Sequence, residues 1–162
     1  MDSNKDTSQS MFDDTGASTM NAAVLSNLHC SPHAALLPTK ELEATMRESL
    51  SQWQAPLLDD KAEDDDIVAL IQFDEGTVRA PQQATSITRS YGFNDFHQTM
   101  AFVGAITSMI HREDHHPTLL VSYKECCLTY STHDADGVTL NDLICAAKCD
   151  AIFDAQRARS VG

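Results

Sequence analysis

The stretch Ile110-His111-Arg112-Glu113-Asp114-His115-His116-Pro117-Thr118-Leu119-Leu120-Val121-Ser122-Tyr123, residues 110–123, marks where a helix stops and a strand begins. Upstream of it Phe96, Met100, Val103, Ile106 and Ile110 recur at spacings of four, three, three and four, which places them on one helical face. Pro117 ends that pattern and biases His116 toward extended backbone, because the proline ring clashes with a helical predecessor. Leu119 to Tyr123 and Cys126 to Ser131 then read as two short strands joined at Lys124-Glu125, a hairpin without the favoured Asn-Gly turn. Two adjacent histidines thus fall at a helix-to-strand junction, a place suited to presenting side chains into a pocket.

On the N-terminal side of this unit, Ser86 to Tyr91 alternates polar and apolar residues as a half-exposed strand does. Gly92 breaks it and Asn94 can cap the helix that follows. Further back, Leu42, Met46, Leu50 and Trp53 share a helical face, with Pro38 and Thr39 supplying the start. Ile67-Val68-Ala69-Leu70-Ile71 reads as another strand. On the C-terminal side, Gly137 punctuates the chain, and Thr139-Leu140-Asn141-Asp142 gives a capping-type start to a last helix carrying Leu143, Ile144, Ala147 and Ala151. The predicted class is α+β: a four-stranded antiparallel sheet with helices packed on one face, in the order α-β-β-α-β-β-α.

With 162 residues, one domain with extensions is expected. Residues 1–35 are expected to form a disordered acidic tail, since the first 27 or so are rich in Ser, Asp, Thr and Asn and show no sustained periodicity. The domain is then residues 36–157, with an acidic insertion around 55–84 in which Asp59 to Asp66 is opposed only by Lys61. A net charge of -13 argues against direct nucleic-acid binding, because phosphate contacts need Lys or Arg to displace counterions. No apolar run approaches a membrane span, and the N-terminus lacks the order of a signal peptide. Five cysteines, an odd number, show no secreted disulfide framework, so a reducing cytoplasm is expected.

The candidate chemistry rests on His115, His116, His133 and Asp142. Three groups that titrate near neutrality, with a carboxylate to orient one of them, suit proton transfer on a small molecule. Asp142, in the first turn of the last helix, is expected to accept a proton-bearing ring nitrogen of His133 and fix its tautomer. Three imidazoles are also the ligand set of some catalytic zinc centres. Adjacent histidines rarely chelate one ion comfortably, however, and no HExxH spacing is present, so no metal is expected. Cys145 and Cys149 share a helical face and Cys126-Cys127 alternates across a strand; these cysteines read as buried small hydrophobes.

The wider pattern is more specific. His111-Arg112-Glu113-Asp114-His115-His116-Pro117 is followed by Leu119 to Tyr123, by Thr129-Tyr130-Ser131-Thr132-His133-Asp134-Ala135-Asp136-Gly137-Val138-Thr139 and by Asn141-Asp142. This run resembles the pterin-4a-carbinolamine dehydratases, whose hallmark is a histidine pair with proline, a Ser/Thr-Thr-His-x-x-x-Gly segment and an aspartate placed as Asp142 is. Tyr91-Gly92-Phe93-Asn94-Asp95-Phe96 is similar to the family's aromatic lead into its long helix, and Thr118 with two leucines is similar to its bacterial members. The likeness spans roughly residues 87–153, with a weaker match around 41–53. Compared with the family, the stretch from Trp53 to Thr85 is long, which reads as a surface insertion. Where relatives commonly carry an acid four residues before the first histidine, this chain has His111.

The resemblance implies elimination of water from 4a-hydroxytetrahydrobiopterin to give the quinonoid dihydropterin, recycling the pterin of aromatic amino acid hydroxylation. It implies His115 and His133 as general acids toward the hydroxyl and His116 as a substrate-binding group and base, with Pro117 and Thr132 bordering the substrate. The pterin is then substrate and no cofactor is needed. A homodimer or homotetramer is implied, with an aromatic amino acid hydroxylase as a candidate partner. The alternative is a non-catalytic binding module, a transcriptional coactivator-type partner protein of the same fold. The presence of all three histidines with Asp142 favours the enzyme, since a scaffold has no need of titratable groups there.

Overall fold

The computed structural model describes residues 20–55 and 84–160. Four α-helices, α1 (Ala22–Asn27), α2 (Thr39–Ser49), α3 (Phe96–Glu113) and α4 (Leu140–Ser160), accompany three strands, β1 (Ile87–Gly92), β2 (Thr118–Val121) and β3 (Glu125–Tyr130). The class is α+β as expected. The sheet of the described residues is three-stranded and antiparallel, in the order β1-β3-β2, rather than four-stranded. The fourth strand expected at Ile67 to Ile71, like most of the acidic insertion, lies outside the described residues. Gln54 forms an isolated antiparallel bridge with Thr88 of β1.

Register follows the two-residue alternation of the strands. Ile87, Tyr91, Cys126, Leu128 and Tyr130 turn to one face and are buried, while Thr88, Cys127 and Thr129 occupy the other. Tyr91, Phe102 and Phe153 meet at centroid distances of 4.7 and 5.0 Å about Tyr91, and Trp53 meets Tyr91 edge-on at 6.2 Å. Asp150 of α4 ties this aromatic layer to the sheet, accepting from Trp53 Nε1, Tyr91 Oη and Arg89 Nη1. Burial raises the Asp150 pKa, and these donors offset only part of that rise.

Of the α3 stripe its spacing suggested, Ile106 and Ile110 are buried and Val103 is half-buried, but the N-terminal part faces out. Thr99, Phe102, Ile106, Met109, Ile110 and Glu113 face inward, whereas Phe96 and Met100 are exposed. The helix is apolar on two faces, and the spacing rule selected the outer one at its N-terminal end. Phe96 stacks on Tyr123, whose ring is itself exposed, and the edge strand β2 leaves Leu119, Leu120 and Val121 exposed beside it.

Residues 20–35, which the sequence assigns to a disordered tail, pack on the domain. Asn21 caps α1 by accepting from the Val24 amide, and Leu25 is fully buried. A six-residue helix has no stability of its own, so this one is held by docking on α4, to which burial of Leu25 contributes roughly 1.5–3 kcal/mol. The reason is legible in α4: Leu143 through Cys149 are all buried, and a helix segment buried on every side needs cover beyond one sheet face. Among the described residues no helix is long and apolar enough to cross a membrane.

Candidate active site

α3 ends at Asp114, which takes the left-handed conformation (φ 50°, ψ 37°), tolerable for aspartate, and the chain turns out of the helix there. Pro117 then prevents helical continuation and β2 begins at Thr118. His115 lies in this turn, half-buried, its ring stacked on Tyr130 at 5.5 Å between centroids and 10° between planes. His115 Nε2 stands 2.7 Å from Oδ1 of Asp142, whose side chain is fully buried.

The Asp142 carboxylate is fixed by its own helix start. Its Oδ2 accepts from the Thr139 amide at 2.7 Å, the carboxylate half of a capping box, while Thr139 Oγ1 accepts from the Asn141 amide at 3.3 Å. Thr132 Oγ1 donates to the same oxygen at 2.8 Å and Thr139 Oγ1 approaches it at 3.2 Å. Oδ2 is thus saturated, and Oδ1 is left for the imidazole. A carboxylate only accepts, so Nε2 carries the proton and Nδ1 is the nitrogen open to a substrate. Burial disfavours the imidazolium, but the hydrogen bond and charge of Asp142 outweigh it, and the His115 pKa is raised.

The structure therefore gives Asp142 to His115, not to His133. The correction has a local cause. After β3 the chain bridges Thr132 to Gly137 and winds one 3-10 turn, His133–Ala135, which carries His133 outward while Thr132 points back to Asp142. Gly137 admits the close passage of Leu36, whose Cδ2 would lie 2.6 Å from a Cβ at this position. His116 and His133 are exposed and, among the described residues, their side chains make no hydrogen bond or ion pair. His111 is exposed on the last turn of α3. Pro117 follows the His115 turn, and Thr132 Oγ1 belongs to the Asp142 network.

A second polar cluster, missed from sequence, lies beside this pair. Glu113, with only 1% of its side chain exposed, accepts from the Cys30 amide at 3.1 Å, meets Lys148 Nζ at 3.2 Å and meets His29 Nδ1 at 3.2 Å. Burial pushes its carboxyl up, yet the Cys30 amide and Lys148, with His29, more than offset this and its pKa is lowered. A lowered carboxylate adds stability above the ordinary carboxylate range and loses it as pH falls through the lowered value. Glu113→Gln is accordingly expected to lose about 1–3 kcal/mol at neutral pH in urea unfolding, and less at acid pH. An unchanged midpoint at neutral pH would show the cluster to be energetically idle. The available signal was Lys148, a charge inside an otherwise apolar helical run that needs a buried partner.

Among the described residues no group of three or more His, Cys, Asp and Glu side chains is placed to hold a metal ion. A cleft of about 720 Å³ opens between the start of α3 and the end of α4, lined by Phe93, His97, Gln98, Phe153, Arg157 and Arg159 among others. It is at the opposite ends of these helices from His115 and Asp142, neither of which lines it.

The chain is similar to several known proteins. A protein from Chromobacterium violaceum, provisionally named a pterin-4-alpha-carbinolamine dehydratase, is 49% identical over 67 residues, 41% of this chain and 62% of that one. One of the same name from Hydrogenovibrio crunogenus is 45% identical over 74 residues, 46% of this chain and 66% of that one. The aligned segments thus span a little under two thirds of these relatives. The crystal structure of a transcriptional coactivator/pterin dehydratase from Brucella melitensis superposes with a TM-score of 0.52 at 26% identity, covering 72% of this chain and 97% of that one. The family model for pterin 4 alpha carbinolamine dehydratase matches residues 35–152, from just before α2 through most of α4, and on that extent the chain belongs to this family.

Proposed function

We propose that the chain eliminates water from 4a-hydroxytetrahydropterin, with His115 as the oriented general acid. The observation that carries this reading is the 2.7 Å contact between His115 Nε2 and the buried Asp142 carboxylate. In the reaction the C4a–O bond breaks, a proton leaves N5 and the C4a–N5 double bond forms, giving quinonoid dihydropterin and water. Hydroxide is a poor leaving group, so the oxygen must be protonated as it departs. His115, kept protonated to higher pH by Asp142, supplies that proton from Nδ1.

His133 assists at the departing oxygen, and His116 holds the ring system and takes the N5 proton. Their exposure and freedom from protein hydrogen bonds support these roles, because a group that must bind substrate cannot already be spent on the fold. Tetrahydrobiopterin, as used in aromatic amino acid hydroxylation, is the proposed pterin. His133→Ala tests the assignment: decay of chemically generated 4a-hydroxytetrahydropterin is expected to slow by about ten- to 10²-fold relative to wild-type enzyme, with the circular dichroism spectrum unchanged. Wild-type turnover in that variant would remove His133 from the mechanism.

Self-association is part of the proposal. The edge of β2, unpaired among the described residues, with exposed Leu120 and continuous with exposed Phe96, Met100 and Tyr123, supports pairing with a second copy. Leu120→Glu is expected to reduce the molar mass measured by light scattering while the fold persists. Equal masses for variant and wild type would take this edge out of the contact. A second reading, a binding module serving a transcription regulator or a hydroxylase, draws on the double name of the Brucella protein and on the same apolar surface. Absence of turnover with an intact fold would favour it.

A further inference from the structure

We propose that Cys30 and Cys145 are an oxidation site, closing reversibly to a disulfide that ties the segment after α1 to α4 one turn from Asp142. The two sulfurs lie 3.5 Å apart although 115 positions separate them in the chain. All five cysteines of the chain are described and free, and this is the pair in sulfur-to-sulfur contact. Disulfide formation requires closure of this gap to about 2 Å.

The backbone around Cys30 is held in place on both sides. Its own amide donates to Glu113 at 3.1 Å, and Ser31 exchanges two hydrogen bonds with the Asn141 side chain at 2.9 and 2.8 Å. Asn141 precedes Cys145 by one helical turn, so the same contacts that dock the segment set the thiols face to face. Their exposures differ in the way a reactive pair requires. Cys30 is half-buried and reachable, whereas Cys145 is fully buried. An oxidant therefore meets Cys30 first, and Cys145 waits behind it as the resolving thiol.

The surroundings also favour a thiolate at Cys30. The hydrogen bond from Cys145 is the main influence lowering its pKa; burial opposes it, His115 and Lys148 assist, and Glu113 opposes. With hydrogen peroxide as oxidant, the Cys30 thiolate attacks one peroxide oxygen, the O–O bond breaks and hydroxide leaves as water after protonation. Cys30 is then a sulfenic acid, oxidised by two electrons. The Cys145 sulfur attacks the Cys30 sulfur, the S–S bond forms, the S–O bond breaks, and hydroxide leaves with the Cys145 proton as a second water. A small-molecule dithiol reverses the step.

The test uses the full chain, reduced, exposed to hydrogen peroxide and then blocked with N-ethylmaleimide. Chymotrypsin, cutting after Tyr130, separates Cys126 and Cys127 from Cys145 before mass spectrometry without reduction. The expected result is a peptide pair joining Cys30 to Cys145, released by dithiothreitol, with loss of two of the five titratable thiols. In Cys145→Ser, a near-isosteric change, peroxide should leave Cys30 as a sulfenic acid that dimedone captures, several-fold more than in wild type. Cys30 recovered as free thiol, over-oxidised or joined to any other cysteine, or equal dimedone labelling in both proteins, would overturn the proposal. None of these readouts requires pterin turnover, so the outcome is independent of the dehydratase reading.

Discussion

Asp142→Asn is expected to lower dehydratase turnover on the order of 10²- to 10⁴-fold and to move its alkaline fall to lower pH. The Thr139 amide and the Thr132 hydroxyl both donate into this side chain, so the asparagine oxygen must stay with them. Its NH₂ group then faces His115 Nε2 where Oδ1 stood at 2.7 Å. A donor facing Nε2 forces the opposite tautomer and removes the charge that stabilises the imidazolium. The sign follows from linkage. The wild-type His115 pKa is raised, so the stability gained from this pair is full below the ordinary histidine value and disappears as pH rises through the raised one. In the variant that pH-dependent component is absent. Turnover measured between pH 6 and 9 beside urea unfolding across the same range checks both halves, and an alkaline limb that stays in place would contradict the assignment.

His115→Gln should lower turnover by a similar factor while preserving the fold. The glutamine amide can donate to Asp142 Oδ1, so the buried carboxylate keeps a partner and the capping box at the start of α4 survives. What is lost is a group that gives up a proton near neutrality, together with the ring that stacks on Tyr130. Single-turnover decay of the 4a-hydroxypterin, set against the melting temperature, separates the two effects. Near-wild-type turnover would exclude His115 as the acid, and a collapse of melting temperature would show the pair to be mainly structural.

Local signals in the sequence carried over well where one local force decides. Pro117 and the apolar run before it located the end of α3, and Thr139 with Asp142 located the start of α4. The hairpin followed from two short strand patterns even though its turn is unconventional. Partner choice was another matter. Asp142 is near His133 in sequence but reaches His115, because the 3-10 turn at His133–Ala135 swings that ring away while Thr132 stays behind. Cys145 shares a helical face with Cys149, yet its sulfur contact is with Cys30. Leu25 and Cys30 follow a run rich in Ser, Asp and Thr, and their docking depends on a surface that exists only once α4 has formed. Phe96 and Met100, at the start of the α3 stripe, misled for a related reason: periodicity reports an apolar face without saying what covers it.

The most direct measurement is the decay of chemically generated 4a-hydroxytetrahydropterin in the presence of the purified chain, alongside buffer alone and the His115→Gln protein. Decay that accelerates in proportion to wild-type protein, and returns close to the buffer rate with the variant, is the expected result. Identical decay in all three samples, with the wild-type chain folded, would contradict an acid–base role for the His115–Asp142 pair.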